Sequence, residues 1–488
     1  MQETWATSEA PGPAGTPAGP RGAGRRGAGS DLHLELAPDR PVRRGLEDAL
    51  RAAIQAGRLA PGARLPSSRA LAADLDLARN TVADAYGQLI AEGWLAAARG
   101  SGTRVAGRVV ARPASPPPAP DPAAALRHSL LPGTPDLSAF PASAWLAAAR
   151  RALATAPASA LGYAGPRGQP ELRQALAEYL ARARGVRADP EHLLVCAGFT
   201  QALALLSRVL AARGATTMAV EAYGHRHHRQ VITAAGLTVR PVPVDAGGAV
   251  LAGLDGAAAA LLTPAHQFPT GVPLAAARRT RAAGWAAETG ATIIEDDYDG
   301  EFRYDRQAVG AMQALAPGSV VYAGTASKTL APALRLAWLA VPPGLTAELT
   351  AARELADRHG PVLDQLTLAG LLRSGGYDRH VRRCRLSYRR RREYLATALR
   401  EQVPGARLAG VPAGLHAVVE LPAGRAEDEV IAAAAARGLA VAGLSEFAAG
   451  HSAPGARPAL VVGFAAPAPS AFTTAIARLC AVLAPGAR

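Results

Sequence analysis

Apolar side chains recur at helical spacing from Val42 to Ala56. The pattern breaks at Gly57, Arg58, Leu59, Pro61 and Gly62, which read as a turn. Pro66 and Ser67 open a second helical stretch. Ser67 or Ser68 is its cap, and Leu71, Ala72 and Leu75 are its apolar positions. A short turn at Asp76–Ala78 leads to a third helix, about Arg79 to Glu92, with Val82, Ala85, Tyr86 and Leu89 on one face. Two short helices joined by a tight turn have the spacing of a helix-turn-helix. Trp94 and Leu95 start a strand. Arg99-Gly100-Ser101-Gly102-Thr103 supplies a hairpin tip, and Arg104 and Val105 lie on the return strand of a wing.

Beyond residue 128 the pattern changes. Short apolar runs at Leu193–Val195, Thr217–Val220, Ala258–Leu262 and Thr292–Ile294 alternate with Ala/Leu/Arg helical stretches. That alternation predicts an α/β fold, a mainly parallel sheet with helices on both faces. The chain therefore divides into four parts. Residues 1–30, rich in Gly, Pro, Ala and Arg, read as a disordered tail, and 31–105 form the small α+β module. Residues 106–128, with the Pro- and Ala-rich run Arg112–Pro122, are a linker, and 129–488 are the large domain with a smaller C-terminal subdomain.

Composition narrows the function. Hydrophobic residues make up 49% of 488, ample for a large core. The net charge of +14 points to polyanions, although an arginine-rich genomic bias accounts for part of it. The three cysteines, Cys196, Cys384 and Cys480, are too widely spaced for a disulfide framework or a metal cluster, so no metal is expected. No apolar run is long enough to span a bilayer, and the basic-then-apolar pattern of a signal peptide is missing. The expectation is a cytoplasmic protein with no membrane partner.

Among 53 basic residues only one is a lysine, Lys328. Arginine supplies charge, but it does not normally form a Schiff base with a carbonyl; a primary amine does. Lys328 follows an apolar strand in Val320–Leu330, where Thr325 and Ser327 offer hydroxyls around a turn and Arg335 can pair with a phosphate. An amine beside a phosphate site suits pyridoxal phosphate. Upstream, Ile293-Ile294-Glu295-Asp296-Asp297-Tyr298-Asp299 places four carboxylates at another strand end, where open α/β sheets build their ligand crevice. Asp296 is the candidate partner of the pyridine nitrogen, and Tyr298 is spaced to reach the ring hydroxyl. The turn Val195–Gln201 opens a helix whose amides suit a phosphate. Thr263–Gly271 is a further loop after an apolar strand.

The first module resembles the winged helix-turn-helix of the GntR superfamily, through GRLAPGARLPSSRALAADL (57–75), ARNTVADAYGQLIAEGWL (78–95) and RGSGT (99–103). The resemblance implies that Arg69, Arg79, Asn80 and Thr81 approach double-stranded DNA. The wing, with Arg99, Ser101 and Thr103, enters the minor groove. Ala78 departs from the usual Ser or Thr cap. The large domain resembles the fold type I aminotransferases, and most closely the MocR subfamily of GntR regulators, through TPAHQFPTG, IIEDDYDGEF and GTASKTLAPALRLAW. That likeness implies a Schiff base at Lys328, Asp296 on the pyridine nitrogen and Tyr298 near the ring oxygen. Phe199, Thr200, Thr325, Ser327 and Arg335 would surround the phosphate. His225 is the aligned candidate for the ring-stacking position, in a segment that departs from the usual pattern. Tyr163 looks like the tyrosine that such homodimers place near the partner's cofactor.

The implied function is a DNA-binding transcriptional regulator that senses an amine or amino acid through an external aldimine. The alternative is a working aminotransferase with a DNA-binding appendage. The C-terminal strand Ala459–Ala465 holds no arginine for a substrate carboxylate, and Arg457 lies just before it. That feature favours sensing over turnover. Arg382, Arg383, Arg385 and Arg389 to Arg392 read as a solvated helix face pairing with acidic neighbours, with auxiliary DNA-phosphate contact as the other reading.

Overall fold

The structure is a computed structural model that describes residues 34, 40–98, 102–107, 128–304, 309–450 and 457–484. Arg99 and Ser101 of the expected wing tip lie outside the described residues, as do the expected tail and most of the expected linker. The chain divides into two compact units, Met1–Ala119 and Pro120–Arg488.

In the first unit the helices are Val42–Gln55, Ser68–Asp74 and Arg79–Ala91. The Ser67 hydroxyl accepts the Ala70 N–H at 3.1 Å and starts the second helix. Asp76 takes the left-handed conformation, φ 53°, that lets the chain turn into the third helix, where Ala78 caps with no side-chain acceptor. Leu46, Leu50, Leu71, Val82, Ala85 and Leu89 meet in a fully buried core. Burying each of the larger ones stabilises the unit by about 1.5–3 kcal/mol. Leu95–Ala98 and Gly102–Val105 pair antiparallel, with Leu95 opposite Val105. The return strand is anchored on its other side, where the Leu65 N–H donates to Thr103 O and the Val105 N–H donates to Ala63 O.

The second unit is built on a seven-stranded sheet. In spatial order its strands start at Leu193, Ala337, Val320, Thr292, Ala259, Thr217 and Thr238. All run parallel except the Ala337–Ala340 strand, which is antiparallel to both neighbours. The strands starting at Leu193, Ala259, Thr292, Val320 and Ala337 are buried along their whole length, because helices cover both faces. A smaller antiparallel sheet of four strands, Arg407–Ala409, Ala417–Glu420, Ala459–Val462 and Ala442–Gly443, forms the C-terminal part.

The basic stretch after residue 381 lies on the helix Gly376–Gln402, and it is not wholly a solvated face. Arg382, Arg383, Arg389 and Arg390 are exposed, and Arg389 pairs with Glu393. Arg391 is buried: it forms an ion pair with Asp136 at 2.7 Å and donates to Ala465 O and Pro467 O. Its helical phase turns it inward, where a charge persists only with such partners.

Candidate functional site

The carboxyl ends of the sheet strands enclose a cavity of about 210 Å³. Its lining brings together Phe199, Thr200, His225, Asp296, Tyr298, Thr325, Ser327, Lys328 and Arg335, nine of the ten residues expected around the cofactor. Four different strand ends deliver them. The tenth, Tyr163, is 82% exposed and stands outside this pocket, with the Arg358 guanidinium 4.3 Å from its ring centre.

One end of the cavity is made for an anion. The helix Phe199–Ala212 opens there behind Gly198, so its first amides face the cavity. Gly198 is left-handed, φ 80°, and a Cβ on it would stand 2.7 Å from the Arg335 guanidinium. Only glycine permits that approach. Arg335 donates to Ala197 O at 2.6 Å, and the Thr325 hydroxyl donates to the Ser327 hydroxyl at 3.0 Å. Amides, two hydroxyls and a guanidinium around one glycine fit a phosphate group.

Lys328 lines the same cavity. Its amine donates to Gly133 O at 2.5 Å, and burial lowers its pKa below the ordinary 10.5. A lysine that loses its proton more easily is a better nucleophile toward a carbonyl. Burial raises the Asp296 carboxyl to about 8, despite the opposing pull of Lys328. A carboxyl that keeps its proton near neutrality already carries the hydrogen that an aspartate–pyridine pair needs. The His225 imidazole stacks on Phe268 at 4.0 Å and 18°, and burial lowers it to about 4, so it is a neutral ring.

The other acidic residues of the Glu295–Asp299 run do not line the pocket. Glu295 accepts the Met312 and Gln313 N–H groups at 2.6 and 2.8 Å. Asp297 forms a buried ion pair with Arg184 at 2.6 Å and accepts the Tyr322 hydroxyl at 2.8 Å. Asp299 pairs with His266 at 2.9 Å. The run is scaffold around a single ligand-facing carboxyl.

Sequence reasoning missed the other wall residues, among them Glu221, His228, Thr263 and Phe268. Glu221 is buried, raised to about 7 by desolvation, and accepts the Thr263 hydroxyl. The signals were present: Thr263 and Phe268 lie in the loop already singled out, Glu221 ends a strand, and His228 is one helical turn from His225.

On the first unit, Arg79, Asn80 and Thr81 occupy the first turn of the third helix, and Arg69 the first turn of the second. Arg69, Arg79 and Asn80 are exposed, while Thr81 and Thr103 are half-buried. Among the described residues neither Arg69 nor Arg79 has an acidic partner. A third helix with exposed donors in its first turn and a wing beside it has the chemistry that DNA reading requires.

The aminotransferase class I and II model matches residues 133–464, and the model for bacterial regulatory proteins of the gntR family matches residues 43–105. The chain is 34% identical over 450 residues to the HTH-type pyridoxine biosynthesis transcriptional regulator PdxR of Corynebacterium glutamicum, spanning 89% of this chain and 95% of the relative. It is 34% identical over 399 residues to the probable rhizopine catabolism regulatory protein MocR of Rhizobium meliloti, spanning 76% and 80%. The solved α-aminoadipate aminotransferase LysN of Thermus thermophilus matches with a TM-score of 0.64 at 27% identity, over 73% of this chain and 91% of that one. The molecule is thus a helix-turn-helix DNA-binding regulator with an aminotransferase-like domain. It belongs to the MocR family of transcriptional regulators, the GntR group that carries this second domain.

Proposed function

We propose that this regulator holds pyridoxal phosphate at Lys328 and through it reads an amine or amino acid, which changes how a homodimer grips its operator. The observation that carries the reading is the placement of the chain's one lysine. It lies in a pocket that also holds an anion cradle and a proton-bearing aspartate. When bound, the cofactor supplies an aldehyde that condenses reversibly with primary amines. Arg335, Thr325, Ser327 and the Phe199 and Thr200 amides hold the phosphate, Asp296 holds the ring nitrogen, and Tyr298 donates to the ring oxygen. His225 covers the ring. LysN was solved with N-(5'-phosphopyridoxyl)-L-leucine, a cofactor–amino acid adduct, which supports the assignment. Tyr163, exposed beside Arg358, is the residue we assign to the partner subunit's pocket.

A second reading, that pyridoxal phosphate is itself the signal, is favoured by one observation. Val461, on the C-terminal strand, is fully buried in an apolar cluster with Phe268 and Phe447, so that strand offers hydrocarbon rather than a cation for a substrate carboxylate. The relative named for pyridoxine biosynthesis agrees with it. Both readings expect little transamination.

The test is a titration of the purified protein with pyridoxal phosphate, followed by amines and amino acids. Operator binding is measured at each stage. Wild type is expected to gain visible absorption and a borohydride-stable linkage, and Lys328→Ala neither. If wild type takes up no cofactor, the sensor reading is wrong. A change in operator binding with cofactor alone selects the second reading. Turnover on the order of 1–1000 per second would instead make the protein an aminotransferase.

A further inference from the structure

His266 and Asp299 stand behind Tyr298, outside the pocket wall, and are 3% and 2% exposed. The His266 Nδ1 lies 2.9 Å from Asp299 Oδ2 and 3.1 Å from the Tyr298 hydroxyl. In a carboxyl–imidazole contact the carboxyl oxygen is the natural acceptor, so the shorter contact puts the imidazole hydrogen on Nδ1. A nitrogen that carries its hydrogen does not accept one from a phenol. The Tyr298 oxygen therefore stands as a second acceptor of the same N–H, and its own hydrogen remains to be donated. Asp299 is one acceptor for it; the ring oxygen of a bound cofactor is another.

The pair is closely packed by two glycines. Gly414 is left-handed, φ 72°, and a Cβ there would overlap both the imidazole and the Asp299 carboxylate; one at Gly271 would crowd Nε2 at 3.2 Å. His416 packs beside the pair, 5.2 Å between ring centres, and donates from Nε2 to Pro269 O. The remaining titratable groups that face the network are Tyr304, Asp296, Glu221, Lys328 and His225. None of these makes a hydrogen bond to His266 or to the Tyr298 hydroxyl. The orientation of the phenol is therefore set by the His266–Asp299 pair.

We propose that His266, tied to Asp299, is a positioning residue that fixes the Tyr298 hydroxyl as a donor toward the phenolic oxygen of pyridoxal phosphate. In this way it sets the pH at which the bound chromophore changes form. The inference rests on the cofactor reading above. A donor at that oxygen matters most on the alkaline side of the transition, where the oxygen is negative and the adjacent proton has left. An N–H donated to the phenol polarises it and strengthens its own donation. Weakening the donor therefore moves the transition to higher pH.

The test is the visible absorption of the full-length protein loaded with pyridoxal phosphate, followed against pH. Tyr298→Phe is expected to raise the transition midpoint by about one pH unit, the scale of one hydrogen bond. His266→Leu should move it the same way by about half as much. His266→Asn, whose carboxamide N–H reaches the Nδ1 position, should restore it. In the Tyr298→Phe background, His266→Leu should add nothing, because it acts only through the phenol. If His266→Leu does not fold, Asp299→Asn against His266→Asn carries the test. The new amide offers its own N–H to Nδ1, reverses the tautomer and raises the midpoint. An unshifted midpoint in His266→Leu or Asp299→Asn, or additivity with Tyr298→Phe, overturns the proposal alone. A wild type with no visible band overturns the cofactor reading and this inference with it.

Discussion

The two units use the same residue type in opposite ways. Arg184 and Arg391 in the second unit are buried, and each is bound to an aspartate and to at least one backbone carbonyl. Arg69 and Arg79 in the first unit are exposed and, among the described residues, have no acidic partner. A buried cation is held in place by groups that would be stranded without it, so its contribution belongs to the fold. An exposed cation with free donors contributes little to the folded chain and waits for an outside anion. The difference separates arginines that build the aminotransferase-like unit from arginines left open to an outside anion. It also says where a mutation shows its effect.

The largest effect that would test this contrast is at Arg184. Arg184→Ala leaves Asp297 as an uncompensated buried carboxylate beside Tyr322. It is expected to destabilise the second unit by about 3–5 kcal/mol. Calorimetry of the full chain would show the loss. A change below about 1 kcal/mol would mean that the pair is not the support described. Arg79→Ala should leave the same transition unmoved.

Next in size is the pH response of Asp296. Its carboxyl is raised in the folded protein from the ordinary 3.8 to about 8, chiefly by burial. The folded state thus binds the proton more tightly, and stability is highest below 3.8 and falls as pH rises toward 8. Between pH 6 and 8 the cofactor-free protein should lose roughly 2 kcal/mol from this group. Asp296→Asn should flatten the profile over that window. A variant as pH-sensitive as wild type would place the buried proton elsewhere, at Glu221, Glu295 or Glu301, each raised to about 7.

These two residues also mark the limit of what the sequence makes legible. Asp296 was readable because strand ends in open sheets face ligands and the cofactor requires a carboxylate there. The helices, wing and mainly parallel sheet followed from periodicity and turn residues. Asp297 was not readable: its partner Arg184 is 113 residues away in sequence, and no local pattern announces such a pair. The same holds for Arg391, whose inward phase is fixed by Asp136, 255 residues distant. Local sequence reports which residues suit a ligand; long-range pairing decides which of them are left to face it.

For the DNA-reading surface the expected effect is smaller and appears only with the partner present. Arg79→Ala is expected to cost about 1–3 kcal/mol of discrimination between operator and random DNA if it reads a base. Titrations of both DNAs at fixed salt give the ratio, since salt alone shifts every phosphate contact. A variant with the wild-type ratio, weakened equally on both DNAs, would reassign Arg79 to the phosphate backbone.

The smallest effect compares two helix starts within the first unit. Ser67 caps the second helix through its hydroxyl, whereas Ala78 starts the third with extended backbone, φ −65° and ψ 134°, and no side-chain acceptor. Those angles already suit a capping residue, so Ala78→Ser adds an acceptor for an unpaired N–H in the first turn without moving the chain. It is expected to stabilise the first unit by about 1 kcal/mol, and Ser67→Ala to destabilise it by a similar amount. The two substitutions should therefore shift the unfolding midpoint in opposite directions. They diverge in DNA binding as well. A serine cap would occupy an amide at the helix N-terminus that is otherwise free for a phosphate. Ala78→Ser should therefore stabilise the fold while leaving operator affinity unchanged or slightly lower. A gain in operator affinity that matches the gain in stability would show that the third helix is incompletely formed before it meets DNA. The preformed reading surface described for Arg79, Asn80 and Thr81 would then be wrong.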